Sequence, residues 1–283
     1  MAAEGMSVQL ACRVLQISES GYYARRRRAP SQRRTRHAWL TDVITEVHEQ
    51  SRGIYGARRI HAELTIGLGI QVGHGQVELL MRRAGLAGVA GRPRWKRIKP
   101  DNIASDLVQR QFHRAHPNQL WVTDITEHRT REGKVYCCVV LDTFSRKAVG
   151  WSIDASPTAA LVTNALGMAI DSRLTRPGSG KPIIHSDQGT PFASWAFTDR
   201  AKASGLVPSM GSVGDCYDNS MIEAFWSRMQ VELLDRRAWK TRVELANAIF
   251  DYIEVWHNRR RRHSQLGMRS PVEFEREYDN TVA

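Results

Sequence analysis

Between residues 119 and 235 the apolar positions fall in short runs. The runs 120–125, 135–141 and 148–153 are rich in β-branched and aromatic residues, with Arg131-Glu132-Gly133-Lys134 and Thr143-Phe144-Ser145-Arg146 between them. This pattern predicts three strands joined by connections short enough to force antiparallel pairing. Pro157 then opens a predicted helix through Ala159, Leu161, Ala165, Leu166, Ala169 and Ile170. After Pro177-Gly178-Ser179-Gly180 the pattern predicts a strand over 182–186, a helix over 193–203 and a short strand over 205–210. A second helical stripe, Ile222, Phe225, Trp226, Met229 and Leu233, closes the region. The order is βββαβαβα, an α/β arrangement.

The flanks have helical spacing instead. Residues 8–14 read as a short helix, and Ser18 in Ile17-Ser18-Glu19-Ser20-Gly21 is placed to cap a second. That piece ends in Arg25-Arg26-Arg27-Arg28 before Pro30, a run open to two readings, a solvated linker or a contact to a DNA backbone. Three stripes follow: Trp39, Leu40, Val43, Ile44 and Val47; Ile60 and Leu64; and Val77, Leu80, Met81 and Ala84, with Gly67, Gly69 and Gly73 breaking the chain before the third. Three short helices with a glycine-bearing turn predict a helix-turn-helix module over 37–90, after a helical and basic segment 1–36. Gly91-Arg92-Pro93-Arg94-Trp95-Lys96-Arg97 and Lys99-Pro100 belong to a basic linker, 91–118. The α/β core is expected over 119–235. A last segment, 236–283, holds an amphipathic helix from Val243 to Trp256 and the run Arg259-Arg260-Arg261-Arg262-His263.

Composition adds one asymmetry. The chain of 283 residues has a net charge of +12 and a pI near 10.0. Residues 1–118 carry 20 Lys and Arg against 9 Asp and Glu, residues 119–235 carry 11 against 13, and residues 236–283 carry 10 against 7. A slightly acidic centre between basic flanks fits a metal site bordered by surfaces that hold a polyanion. Cys12, Cys137, Cys138 and Cys216 have no metal-ligand or disulfide spacing, and His113-x-x-His116 lacks a cysteine pair to complete a zinc site. No apolar run approaches the length of a membrane span, so a soluble cytoplasmic protein without a membrane partner is expected.

The chemistry concentrates on three carboxylates. Asp124 lies in Trp121-Val122-Thr123-Asp124-Ile125-Thr126, Asp187 in Ile184-His185-Ser186-Asp187-Gln188-Gly189, and Glu223 in Asn219-Ser220-Met221-Ile222-Glu223-Ala224-Phe225-Trp226. Two strand-borne aspartates and a helix-borne glutamate converge if the strands are neighbours and the helix packs across them. Clustered carboxylates call for a cation, and an all-oxygen set selects Mg²⁺ or Mn²⁺. Two such ions suit phosphoryl transfer. Asp142, at the end of a strand, is a rival, but its position assigns it to a turn or to an ion pair with Arg146. Asp218 reads as an N-cap.

With 35 residues between Asp187 and Glu223, the chain resembles the DDE transposases and retroviral integrases. More narrowly, it resembles the OrfB proteins of the bacterial insertion-sequence family with two overlapping reading frames. The matches are Tyr55-Gly56-Ala57-Arg58-Arg59-Ile60-His61-Ala62-Glu63-Leu64, Leu80-Met81-Arg82-Arg83-Ala84-Gly85-Leu86, the three carboxylate motifs, and His257-Asn258-Arg259-Arg260-Arg261-Arg262-His263-Ser264. The resemblance implies a ribonuclease-H-like integrase core, a mixed five-stranded sheet with helices, preceded by an all-α helix-turn-helix region. It implies a transposase that performs metal-dependent 3′-end cleavage and strand transfer, with Asp124, Asp187 and Glu223 as catalytic residues holding two Mg²⁺ (or Mn²⁺) ions. The implied partners are DNA, as terminal inverted repeats and target, further copies of the chain in a homo-multimer, and an OrfA-derived fusion partner. Candidate DNA contacts are Arg58, Arg59, Arg82, Arg83, Arg94, Trp95, Lys96, Arg97, Gln230, Arg259, Arg262 and His263. The sequence departs from the family at Gly73-His74-Gly75, where a capping Ser and basic residues are usual, and at Gln230, where a basic residue is usual. A catalytically inactive DNA-binding remnant or regulator, and a ribonuclease-H-like nuclease, are the alternatives.

Overall fold

The computed structural model describes residues 7–89, 114–173, 181–187, 189–210 and 220–282. They fall into two compact units, 1–88 and 89–283. No helix among the described residues is long and apolar enough to cross a membrane.

The first unit is helical: α1 (Val8–Val14), α2 (Glu19–Arg27), α3 (Gln32–Gln50), α4 (Ala57–Ala62) and α5 (His74–Arg83). Ser18 caps α2 by accepting the Gly21 N–H, as the sequence predicts. Helix α3 starts at Gln32, five residues before the expected module boundary, because Ser31 after Pro30 accepts the Arg34 N–H and caps it there. Leu40, Ile44 and Val47 of α3 are buried with Ile60 of α4, Leu64, and Val77, Leu80 and Met81 of α5. After Ala62 the helix widens into a π-helical turn, Glu63–Gly67. Gly73 precedes α5 with no side-chain cap. The turn before α4 and the chain after α5 meet closely: a side chain on Gly88 would collide with the Gly56 backbone.

The second unit is built on a five-stranded sheet, β1 (Leu120–Thr130), β2 (Gly133–Asp142), β3 (Ala148–Asp154), β4 (Ile183–Ser186) and β5 (Val207–Met210), in the order β3-β2-β1-β4-β5. The first three are antiparallel neighbours, while β4 pairs parallel with β1 and β5 parallel with β4. The expected mixed sheet is therefore present. Strand β1 runs five residues beyond its apolar stretch, because Thr126–Thr130 pairs with β2 as a half-exposed polar hairpin tied by Lys134 Nζ to Glu127 at 2.9 Å. The β1 half of the ribbon has no buried position to generate an apolar alternation, although Val135 and Cys137 opposite it are buried.

Side chains alternate across the sheet. On one face Trp121, Cys138, Val140 and Ile184 pack with Leu161, Ala165, Leu166 and Ala169 of α6 (Ala159–Arg173) and Phe197 and Ala201 of α7 (Trp195–Ala203). Gly150 of β3 permits the close approach, since any side chain there would strike the Ala165 carbonyl of α6. Pro157 stands before α6 rather than in its first turn, and Thr158 accepts the Leu161 N–H to start the helix. Helix α8 (Ser220–Glu232) packs against β1, and α9 (Arg242–Phe250), continuing into a π-helical stretch, Asp251–His257, packs against β2. The chain ends in α10 (Pro271–Val282).

The arginine-rich tail turns inward. Arg261 is 3% exposed and grips Glu232 of α8 through Nη2 at 2.7 Å and Nε at 2.8 Å. Tyr252 Oη and Trp256 Nε1 donate to the same carboxylate at 3.2 Å each. Removing one partner strands a buried charge. Arg261→Met is thus expected to cost about 3–5 kcal/mol in a urea unfolding titration, and combining it with Glu232→Met should recover much of that loss.

Candidate active site

Strand pairing positions two of the three carboxylates. The β1/β4 register matches Leu120 with Ile183, Trp121 with Ile184 and Val122 with His185. Continued by two residues, it brings Asp124 level with Asp187, just past the end of β4. Asp124 Oδ1 accepts the Ile125 N–H at 2.8 Å, and Oδ2 accepts Trp226 Nε1–H at 3.0 Å. Asp187 Oδ1 accepts the Gly189 N–H at 3.0 Å. Glu223 is exposed in the first turn of α8, one helical turn before Trp226.

The electrostatics join the three. Burial pushes the Asp124 carboxyl up to about 6, and the negative charges of Asp187 and Glu223 push in the same direction. The Ile125 amide and the Trp226 indole oppose them by donating to the ionised form. Asp124 and Asp187 also share the wall of a cavity of about 560 Å³ with Ile125, Tyr136, Pro191 and Phe192. Among the described residues, no three His, Cys, Asp or Glu side chains stand ready as a metal-binding cluster. The buried thiols of Cys137 and Cys138 lie far above the ordinary range, Cys138 at about 12, chiefly through burial.

The rival aspartate has a different task. Asp142 is fully buried, and its carboxylate accepts the Asn118 and Phe144 N–H groups at 2.9 Å each. It organises the turn after β2, as expected. Its expected ion pair with Arg146 is corrected: Arg146 donates its backbone N–H to the Asp142 carbonyl, and the charges felt by the carboxylate are those of Arg173 and, opposing it, Glu275.

The description "Integrase core domain" matches residues 114–216 and again 204–271, and "HTH-like domain" matches 36–94. The transposase for insertion sequence element IS629 of Shigella sonnei is 36% identical, over 94% of this chain and 90% of that protein. Transposase InsF for insertion sequence IS3A of Escherichia coli (strain K12) is 35% identical, over 95% and 94%. The chain belongs to this family of insertion-sequence transposases. Among solved structures, the magnesium complex of the HTLV-2 integrase catalytic core domain in its trimeric form is similar at 19% identity and a TM-score of 0.42, covering 56% of this chain and 97% of that one. A simian T-cell lymphotropic virus intasome chain is similar at 15% identity and the same TM-score, covering 75% and 69%.

The candidate DNA contacts of this transposase-family chain separate into three groups. Arg58, Arg82, Arg83 and Arg259 are exposed, Arg82 beside Glu78 at 3.3 Å, while Arg59 is half-buried over the Tyr55 ring. Arg94, Trp95, Lys96 and Arg97 lie outside the described residues, as do His113, Asp215, Cys216, Asp218 and Asn219. Arg262 and His263 are corrected: they are 4% and 8% exposed, and Arg262 holds the Met268 carbonyl and Glu273, so they fasten the tail instead of facing a phosphate. Gln230 donates to Asp235 within the chain.

Sequence reasoning missed Trp226 and the Glu232–Arg261 pair. Trp226 was legible as the residue three beyond Glu223 on the same helix face, although an indole is ordinarily read as core. The metal-free chain yields a pH prediction. A carboxyl at about 6 when folded and 3.8 when unfolded favours folding fully below 3.8, and that contribution is lost as pH rises through about 6. Asp124→Asn should therefore flatten the pH dependence of unfolding between these values. Asp187→Asn should lower the Asp124 midpoint in a carboxyl-carbon NMR titration without restoring 3.8, because burial is the larger cause.

Proposed function

We propose that this protein is a DDE transposase: a polynucleotidyl transferase that frees a 3′-hydroxyl at the ends of its element with water as nucleophile, then joins that hydroxyl to a second phosphodiester. The observation that carries the reading is the juxtaposition of Asp124 and Asp187 on one cavity wall, with Glu223 near enough for its charge to act on Asp124. Family membership supports the same chemistry.

The donor set fits a hard divalent cation. All three groups are carboxylates, and mutual repulsion already disfavours the ionised form of Asp124. Asp124, Asp187 and Glu223 would hold two Mg²⁺ or Mn²⁺ ions, which when bound activate an attacking oxygen and stabilise a leaving one. The chain's own contribution is placement. The Ile125 N–H and Trp226 indole fix both oxygens of Asp124, the Gly189 N–H fixes Asp187, and α8 is anchored at its far end by the buried Glu232–Arg261 pair. Such positioning, with charge arranged before reaction, is what phosphoryl transfer asks of a protein.

DNA would be held by the basic flanks. The helix-turn-helix module over 37–90 and the linker over 91–118 would engage the element's terminal repeats, with Arg58, Arg82, Arg83 and Arg259 as exposed phosphate contacts. The loss of the cap and of positive charge at Gly73-His74-Gly75 makes α5 a weaker base reader than in relatives. The active species would be a multimer, with an OrfA-derived segment fused to this chain.

The test is strand transfer with Mg²⁺ or Mn²⁺ on labelled duplexes from the inverted repeats flanking the gene, comparing the wild type with Glu223→Gln. Joined products from the wild type, a loss of at least 10³-fold in the variant and equal DNA binding by both are expected. Strand transfer retained by Glu223→Gln overturns the carboxylate assignment. Absence of products even from the chain fused to its OrfA segment favours the binding-only reading.

A further inference from the structure

The cavity beside Asp124 and Asp187 opens away from α8. Its walls are Ile125 and Tyr136 from the sheet face that α6 covers, Pro157 and Ala159 at the start of α6, and Pro191 and Phe192 before α7. Ile125, Pro157, Ala159, Pro191 and Phe192 make most of the wall apolar, Tyr136, Thr190 and Ser194 add hydroxyls, and the charge of the two carboxylates disfavours a phosphate inside. A planar group with an apolar face does fit, and about 560 Å³ lies within the range of small-ligand sites.

Two further features select the occupant. Trp195 follows the cavity-lining Ser194, whose hydroxyl caps α7 by accepting the Phe197 N–H, and its side chain is 78% exposed. An uncovered indole beside a site for a polynucleotide is a stacking platform, and base–aromatic stacking tolerates any base. Glu127 also lines the cavity, paired with Lys134 at 2.9 Å. Its carboxylate can only accept hydrogen bonds.

We propose that this cavity receives one nucleobase, unstacked from the DNA strand next to the reacting phosphate, with Trp195 as the platform beside it and Glu127 favouring a base that carries an exocyclic amine, adenine, cytosine or guanine, over thymine. The proposal rests on the carboxylate reading only for where the phosphate lies. A base that leaves the duplex costs unstacking energy, which the cavity and the indole offset. Selection among sequences then arises at a nucleotide whose pairing edge the helix-turn-helix module need not read.

The experiment uses the full chain and a branched duplex that mimics the joined product, built from DNA flanking the gene, with 2-aminopurine replacing in turn each base within about three nucleotides of the junction. Binding without divalent cation should raise fluorescence at one position. Ala159→Trp, which fills the cavity, should abolish that rise and weaken binding about tenfold, and an abasic nucleotide at the same position should restore its binding. Trp195→Ala, at an exposed position, should weaken wild-type-like binding about fivefold or more. Thymine in place of adenine, cytosine or guanine should weaken binding by the wild type, and Glu127→Gln should level that preference. No rise at any position, or unchanged signal and affinity in both Ala159→Trp and Trp195→Ala, overturns the proposal. A rise without strand transfer, even by the chain fused to its OrfA segment, refutes the catalytic reading and leaves the cavity assignment standing. Strand transfer without a rise refutes the cavity assignment alone.

Discussion

Parallel pairing of β1 with β4 is the constraint on which the site depends. Residues distant in sequence meet only because the connection through α6 returns the chain to the free edge of β1. The pairing lies in the interior of the sheet: Leu120, Trp121, Val122 and Ile184 are at most 1% exposed. The same register brings Asp124 level with Asp187. Two carboxylates so held repel each other, and the fold tolerates this because backbone and indole donors satisfy their oxygens.

Asp124 stands where the two faces of the sheet divide. From one face α8 sends the Trp226 indole to its carboxylate, and on the other the cavity opens between α6 and the segment before α7. Helix α8 carries both Glu223 near its start and Glu232 at its end, and Glu232 is enclosed by Arg261, Tyr252 and Trp256. A buried ion pair contributes little net stability, yet it restricts where the helix can sit. His257 reinforces that seat, its ring edge-on to Phe225 of α8 at 4.7 Å, while burial pushes its pKa down to about 4 and keeps it neutral.

The C-terminal basic residues show how one charge pattern divides between two tasks. Arg259 remains exposed, whereas Arg261 and Arg262 are withdrawn into carboxylate contacts and His263 is buried with them. Glu275 of α10 is held by Arg173 and Lys147 and accepts the Ser145 hydroxyl, so this end of the chain is tied to the sheet by a network rather than by apolar contact alone.

The sequence by itself determined the order of the strands and of the helices through α9 and the helix cap at Ser18, because apolar period and cap chemistry are local properties, and it singled out the three carboxylates as candidates. It also carried the resemblance that named the family. The polar end of β1, the start of α3 and the helix starting after Pro157 escaped it, since hairpin pairing and neighbouring caps override apolar pattern. Which arginines are buried, the Trp226 bond to Asp124 and the cavity beside it were decided only by tertiary structure. A charge run has the same sequence signature in water and against a buried carboxylate, and a cavity is a property of surfaces brought together from distant parts of the chain.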